Sequence, residues 1–153
     1  MLKLDATDKK LLALLQADSK RTTKEYANHL GLSVTAVYER IKRLEKSQVI
    51  TRYVALVDKK KVDKAFVVLC HVKLAQHIKE FVIQFEREVL QLPEVVECYH
   101  ISGDYDYILK IYVTNLDAYR EFVVNKLTAI KHIGSTQSSF IINEVKHTTA
   151  IDL

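Results

Sequence analysis

The sequence predicts an α+β protein in which an N-terminal winged helix-turn-helix precedes a ferredoxin-like βαββαβ domain. Three observations lead to this prediction. The first third of the chain carries apolar residues at helical spacing around a glycine turn. The remainder alternates strand-like and helical patterns, and the net charge changes sign between the two parts.

The helix-turn-helix is predicted from the stretch Leu30-Gly31-Leu32-Ser33. Gly31 supplies a tight turn, and the Ser33 hydroxyl can cap a following helix at residues 34–47. A shorter helix is predicted at residues 23–30. The second helix repeats apolar residues on one face, at Val37, Ile41 and Leu44. This order is that of a helix-turn-helix, whose second helix enters the DNA major groove. An ordinary surface helix with a solvated charged face fits the same pattern.

The rest of the first part is predicted as a helix and a strand. Asp5 or Thr7 can cap a first helix that ends near Ala17, and its inward stripe consists of Leu11, Leu12, Leu14 and Leu15. Residues 49–57 are rich in β-branched and aromatic side chains, which predicts the strand of the wing. The polar run 58–64 is placed at the domain boundary. The predicted domains are therefore 1–57 and 65–153, joined by the linker 58–64.

The second part predicts the order strand, helix, hairpin, helix and strand. The predicted strands are residues 66–74, 95–102, 105–113 and 135–145, and the predicted helices are residues 77–92 and 117–130. Pro93 ends the first of these helices, and Gly103-Asp104 forms the hairpin turn. This is the ferredoxin-like order, with helices on one face of a four-stranded antiparallel sheet. The other face needs a cover, and a second copy of the sheet would supply one, which predicts a homodimer.

Composition limits the class of protein. The 153 residues suffice for one domain or two small ones, and 48% hydrophobic residues with one Pro indicate a globular chain. The apolar segments are too short to span a membrane, and the N-terminus lacks the apolar run of a signal peptide. Cys70 and Cys98 are interpreted as small buried hydrophobic residues rather than disulfide partners or ligands. A cytoplasmic protein without a membrane partner is expected.

Charge separates the two parts of the chain. Residues 1–60 hold 13 basic and 7 acidic side chains, a net charge of +6, whereas residues 61–153 hold 10 and 12, a net charge of −2. A basic first third favours attraction to phosphate, and it predicts a nucleic-acid-binding domain joined to a domain with another function.

Short motifs in both parts are similar to those of one family. In the first part they are Leu4-Asp5, Asp8, Leu11-Leu12, the Leu30-Gly31-Leu32-Ser33 turn, and Val37, Arg40, Ile41, Leu44 and Glu45. In the second part they are Glu97-Cys98-Tyr99-His100, the hairpin signature Ser102-Gly103-Asp104-Tyr105-Asp106-Tyr107, and Asn143-Glu144-Val145-Lys146. Nearly end to end, the chain resembles the Lrp/AsnC family of bacterial and archaeal transcription regulators.

The resemblance implies a function and a set of partners. It implies sequence-specific binding to double-stranded promoter DNA, switched by a small effector that is usually an amino acid. It also implies that the second domain, called the RAM domain, forms dimers that assemble into larger rings, commonly octamers, with effectors in clefts between dimers. No cofactor other than this effector is expected.

The hairpin signature supplies the predicted effector site. Gly103 lets a ligand approach the backbone and leaves amide donors for a carboxylate, and Asp104 and Asp106 can accept from an ammonium group. A plain hairpin turn fits the same residues. Thr136 and Ser138 share a face of the last strand and could add hydroxyls. The predicted effector-binding residues are Ser102, Gly103, Asp104, Tyr105, Asp106, Thr136 and Ser138.

The second helix of the helix-turn-helix supplies the predicted DNA contacts. Ser33 and the helix N-terminus can meet phosphate, and Arg40 or Arg43 can read a guanine or grip the backbone. Glu39 can accept a hydrogen bond from cytosine, or it can form an ion pair with Lys42 or Arg43 along the helix. The predicted DNA-binding residues are Ser33, Thr35, Ala36, Tyr38, Glu39, Arg40, Lys42 and Arg43. We expect Arg40→Ala to weaken operator binding by roughly 1–3 kcal/mol without disturbing the dimer.

The sequence also departs from the family pattern. Val34 and Gln48 stand where many relatives have Pro and Gly, and a left-handed Gln48 would cost about 1 kcal/mol. Ser139 is more polar than the residue often found there, which affects the expected effector pocket. No metal site is predicted, because the histidines and cysteines lack metal-ligand spacing, and no catalytic motif is present, so an enzyme is not expected.

Two functions from different classes remain open. One is an effector-responsive transcription regulator, which the intact signature at residues 102–107 favours. The other is an architectural DNA-compacting protein of the same fold without a working effector site. Specific operator footprints would indicate the first, and even coating of DNA would indicate the second.

Overall fold

The structure is a computed structural model that describes residues 2–153, and its contacts divide it into two compact units. The first unit extends to Leu56 and also includes Lys146–Leu153, and the second unit is Val57–Val145. The sequence prediction placed residues 146–153 in the second domain. In the structure these residues cluster with the first unit, and the side-chain amide of Gln16 donates to the C=O of Ile151 at 2.9 Å and accepts its N–H at 2.7 Å.

The first unit contains three helices, α1 (Ala6–Ala17), α2 (Thr23–Leu30) and α3 (Val34–Lys46). A side chain caps the start of each. Asp5 and Thr22 form reciprocal capping boxes, and the Ser33 hydroxyl accepts a 3.1 Å hydrogen bond from the N–H of Ala36. The helix-turn-helix order is thereby confirmed. The three helices enclose a core of Leu11, Leu12, Leu15, Tyr26, Ala27, Val37 and Leu44.

Helix α3 ends in a left-handed residue that is not glycine. Gln48 has a φ of 58°, and the N–H of Val49 reaches back over it to the C=O of Leu44 at 3.0 Å. This is a Schellman end, in which glycine normally relieves the strain. Gln48, which stands where many relatives have glycine, therefore adopts the left-handed conformation that glycine favours.

The predicted wing strand at residues 49–57 is wrong for this chain. Within residues 2–153 the segment pairs with no strand, and most of its side chains are exposed, with Leu56 70% exposed and Val57 67%. The β-branched composition of this segment is typical of strands, but a strand forms only where a second strand satisfies its backbone groups.

The second unit is a four-stranded antiparallel sheet in the order β2-β3-β1-β4 with helices on one face. This topology confirms the ferredoxin-like prediction. The elements in chain order are β1 (Phe66–Leu74), α4 (Lys79–Val89), β2 (Val95–His100), β3 (Tyr107–Val113), α5 (Leu116–Phe122) and β4 (Ile133–Phe140). Alternate residues of β1 and β3 are buried against the helices, including Val68, Cys70, Leu109 and Ile111.

The helix predicted at residues 117–130 changes its geometry halfway. After α5 the chain continues as a π-helical turn, Val123–Leu127, closed by a 2.9 Å hydrogen bond from the N–H of Thr128 to the C=O of Val123. In an α-helix, residues five apart point in different directions. The wider turn brings Phe122 and Leu127 into the same core, where they are 2% and 0% exposed.

No helix formed within residues 2–153 combines the length and the apolar character needed to cross a bilayer.

Candidate nucleic-acid interface and effector turn

One face of α3 presents a stripe of exposed side chains. Its members lie three or four residues apart and are Thr35, Tyr38, Glu39 and Lys42. The Nζ of Lys42 lies 5.7 Å from the Tyr38 ring centroid and 2.9 Å from Glu45 Oε2. The Glu45 carboxylate accepts this hydrogen bond and raises the pKa of Lys42. Of the other predicted residues, Ser33 caps the helix and Ala36 is half-buried.

Arg40 does not lie on this exposed stripe. Its Nη1 atom donates to Asp5 Oδ2 at 2.8 Å and to Asp8 Oδ1 at 2.7 Å, and its side chain is only 26% exposed. Arg43 also reaches Asp8, from Nη2 to Oδ1 at 2.5 Å, but its side chain is 45% exposed. That Arg40 reads a guanine or grips the DNA backbone stays a prediction, and in this structure its guanidinium is bound to two carboxylates of the same unit.

The acid partners of Arg40 lie at the start of α1. The Arg40 guanidinium lowers the pKa of Asp5, and Asp5 in turn raises the pKa of Arg40. Asp8 is fully buried, and its Oδ2 accepts the N–H of Asp5 at 3.1 Å. Sequence reasoning missed Asp8 as a partner of α3. Periodicity shows which face of a helix is apolar, but it does not show which residues of another helix a long side chain reaches.

The hairpin between β2 and β3 forms the Gly103 turn, residues 101–106. The N–H of Ile101 binds the C=O of Asp106 at 2.8 Å, and the N–H of Asp106 binds the C=O of Val72 at 2.9 Å. Gly103 has a φ of 130°, a conformation that favours glycine, and open space where a Cβ would stand. Ser102 and Asp104 are exposed. The turn is thus fixed at its ends and accessible at its tip.

Asp106 has a structural role in this turn. Its Oδ2 accepts the N–H of Leu74 at 2.7 Å, and its Oδ1 lies 3.0 Å from His77 Nε2. Its side chain is only 14% exposed. Of the two acids predicted to face an ammonium group, Asp104 is therefore the more accessible.

Tyr105 connects the turn to residues that the sequence did not single out. Its hydroxyl donates to Gln137 Oε1 at 2.5 Å, and its ring centroid lies 5.3 Å from that of His71. His71 and Gln137 are direct partners across β1 and β4. They share the sheet face opposite the helices, which we call the open sheet face. The pairing register that brings them together is not encoded in either strand alone.

Thr136 and Ser138 share a face, as predicted, but it is the helix-covered face. They pair with the buried residues Val72 and Cys70. The Ser138 Oγ lies 2.5 Å from the Tyr119 hydroxyl on α5. Both hydroxyls are therefore turned away from the open sheet face on which Tyr105 and Gln137 meet, and the structure does not bring them together with the tip of the turn.

The open sheet face carries both apolar and charged side chains, and many of them are partly buried. Leu69 and Ile108 lie on it beside an ion pair between Lys110 Nζ and Glu97 Oε1, 3.0 Å apart. Tyr99, on the outer strand β2, is 54% exposed. The open sheet face therefore combines apolar side chains with an ion pair.

A helix-turn-helix followed by a ferredoxin-like domain with an accessible hairpin turn defines a class of DNA-binding regulators with a ligand-binding domain. Comparison with known proteins identifies the family. Residues 4–45 match the family model of the AsnC-type helix-turn-helix domain, and residues 67–151 match that of the Lrp/AsnC ligand binding domain. The chain belongs to the Lrp/AsnC family of transcription regulators, and neither these domains nor the related proteins are enzymes.

Characterised relatives align along nearly the whole chain. The Bkd operon transcriptional regulator of Pseudomonas aeruginosa is 32% identical over 145 residues, 95% of each chain. The leucine-responsive regulatory protein of Escherichia coli is 32% identical over 97% of this chain and 90% of its own. Among solved structures, a transcriptional regulator of Neisseria meningitidis in complex with L-Met has a TM-score of 0.94 at 31% identity, covering 97% of this chain and 96% of that one.

Proposed function

We propose that this transcription regulator binds promoter DNA sequence-specifically through the exposed stripe of α3, and that an amino-acid effector bound at the Gly103 turn controls this binding. The exposed stripe carries hydroxyl, aromatic, acidic and basic groups, which can contact base edges and phosphates. The contact residues proposed are Ser33, Thr35, Tyr38, Glu39, Lys42 and Arg43. Such a protein acts where the DNA is, in the cytoplasm of a bacterial or archaeal cell.

The accessible tip of the Gly103 turn is the observation that carries the effector proposal. A backbone held open at Gly103 offers N–H donors to a carboxylate, and the exposed Asp104 offers an acceptor to an ammonium group. An α-amino acid carries both of these groups. The related regulator of Neisseria meningitidis was solved with L-Met, which supports an amino acid as the ligand class.

Assembly is part of the proposal. The open sheet face carries Leu69, Ile108 and Tyr99 in the single chain, and we propose that a second copy covers it to form a homodimer. Dimers would then assemble into a larger ring, such as an octamer. Analytical ultracentrifugation should show a dimer or a larger species at micromolar concentration. A stable monomer would contradict this assembly.

The effector proposal is tested by thermal melts with each protein amino acid in turn at millimolar concentration. A ligand at about 100 times its Kd adds roughly 2.7 kcal/mol to the folded state, which corresponds to a rise in Tm of about 5–10 °C. We expect one or two amino acids to produce such a rise and Asp104→Ala to abolish it. Asp117→Ala, an exposed acid in the first turn of α5, is the matched control. A flat panel would contradict an amino-acid effector and favour the architectural function.

A further inference from the structure

A buried carboxylate lies beneath the helix proposed to contact DNA. Asp8 is 0% exposed and belongs to the first unit, whose core is otherwise built from leucines and other apolar side chains. Burying a charge in such surroundings is costly unless charged partners and hydrogen bonds compensate it. The hydrogen bonds of helix capping alone do not compensate the burial of the Asp8 charge.

Two arginines of α3 provide that compensation. Arg40 Nη1 and Arg43 Nη2 both donate to Asp8 Oδ1, at 2.7 and 2.5 Å. The two arginines are three residues apart and so lie on the same side of α3. Because they converge on one oxygen of α1, the carboxylate links α1 to this side of α3.

The two arginines differ in what remains available to a ligand. Arg40 is also bound to Asp5 and is 26% exposed, so it anchors the helix. Arg43 is 45% exposed, and one of its five N–H donors binds Asp8. Arg43 lies in the C-terminal half of α3, whereas the N-terminal residues of a recognition helix contact the base edges. Arg43 is thus placed to contact the backbone beside the groove.

We propose that Asp8 is a positioning residue for DNA binding, which holds the Arg43 guanidinium in the orientation that donates to a DNA phosphate. This inference rests on the proposed DNA binding by α3. It also predicts a change in DNA affinity opposite to the change expected from net charge alone. Removing the negative charge of Asp8 makes the unit more basic, which by itself would strengthen DNA binding. If Asp8 positions Arg43, the same change weakens binding.

The experiment measures the affinity of the full-length protein for a mixed-sequence duplex by fluorescence anisotropy over a range of KCl concentrations. The variants are Asp8→Asn, Arg43→Ala, the double variant, and Asp18→Asn as a control. Asp18 is an exposed acid at the other end of α1, and an asparagine there can keep its 3.0 Å hydrogen bond to the N–H of Lys20. Each phosphate contact contributes about one to the slope of log affinity against log salt.

A neutral amide holds two guanidiniums much more weakly than a carboxylate does, although its oxygen still accepts hydrogen bonds. We therefore expect Asp8→Asn and Arg43→Ala each to weaken binding about tenfold at moderate salt and to lower the salt slope by about one. The double variant should be no weaker than Arg43→Ala, because both changes remove one contact. The control should bind as tightly as the wild type or slightly tighter. Asp8→Asn with an unchanged slope and undiminished affinity would overturn the proposal.

A second variant keeps the test decisive if Asp8→Asn does not fold, as judged by circular dichroism. Arg43→Lys retains the positive charge on a partly exposed side chain. An ammonium group lacks the rigid fork of donors that lets a guanidinium bind Asp8 and a phosphate at the same time. We expect Arg43→Lys to lower the salt slope by about one, as Arg43→Ala does. If Arg43→Lys instead binds with the affinity and the salt slope of the wild type, the proposal is overturned. A wild-type protein that binds no duplex would overturn the proposed function and this inference with it.

Discussion

The backbone N–H of Leu74 donates a 2.7 Å hydrogen bond to Oδ2 of Asp106, across 32 positions of the chain. This bond ties the hairpin turn to the end of β1, and the N–H of Asp106 adds a second tie to the C=O of Val72 at 2.9 Å. Asp104, two residues earlier, is exposed. Two acids of one short motif thus have different tasks, one structural and one available to a ligand.

Substitutions at these two acids should separate the tasks. Asp106→Ala leaves the N–H of Leu74 without its acceptor, so we expect the free energy of unfolding to fall by about 1–3 kcal/mol. Asp104→Ala, at an exposed position, should change it by less than about 0.5 kcal/mol. Urea denaturation followed by circular dichroism measures both. Equal losses for the two variants would show that Asp104 also supports the fold.

Relief of backbone strain at Gln48 should stabilise the protein. Gln48 has a φ of 58°, where glycine is favoured, so Gln48→Gly should raise the free energy of unfolding by about 1 kcal/mol. Gln48→Ala is the control, because it keeps the strain and removes only the 3.2 Å bond from Nε2 to the C=O of Glu45. A glycine variant no more stable than the alanine variant would contradict this account of the end of α3.

The first unit should lose stability in acid through Asp5. Arg40 holds the pKa of Asp5 below its ordinary value of 3.8, so the folded state favours the carboxylate more than the unfolded chain does. This contribution is complete above the unfolded pKa and is lost as the pH falls through the lower folded pKa.

Asp5→Asn tests this contribution, because asparagine can still cap α1 but cannot titrate. Urea midpoints measured at about pH 5 and about pH 3 should fall less for Asp5→Asn than for the wild type. Asp152→Asn, an exposed acid of the same unit, should follow the wild type. An identical fall for Asp5→Asn and the wild type would exclude Asp5 as a source of the acid sensitivity.

The two cysteines should react slowly in the folded protein. Burial raises the pKa of the Cys98 thiol to about 11 and also raises that of Cys70, which is fully buried. Since the thiolate is the nucleophile, Cys98 should be alkylated by iodoacetamide about 100-fold more slowly than an unperturbed thiol. Mass spectrometry over time measures this rate, and both sites should react quickly in urea. Rapid modification of Cys98 in the native protein would contradict its burial.

Much of the fold could be predicted from the sequence because its signals are local. The capping side chains Asp5 and Ser33, together with the left-handed Gly31, sit next to the turns that they form, and the helices begin where those signals predict. The alternation along β1 and β3 likewise follows from the two-residue period of a strand.

What the sequence did not show depends on contacts between distant residues. A strand at residues 49–57 requires a partner strand, and composition does not supply one. The role of Arg40 depends on Asp8, which lies 32 positions earlier in the chain. The orientation of Ser138 toward Tyr119 depends on which face of the sheet the helices cover. None of these relationships leaves a periodic signal in the sequence.

The central claim, that an effector at the Gly103 turn controls DNA binding, is tested most directly by one titration. A duplex selected from a random pool by the wild-type protein is titrated in fluorescence anisotropy, with and without the amino acid that raises the Tm most. We expect a change in Kd of at least about fivefold for the selected duplex, since allosteric coupling is typically about 1–3 kcal/mol, and no such change for Asp104→Ala. The same Kd with and without the amino acid would contradict this claim.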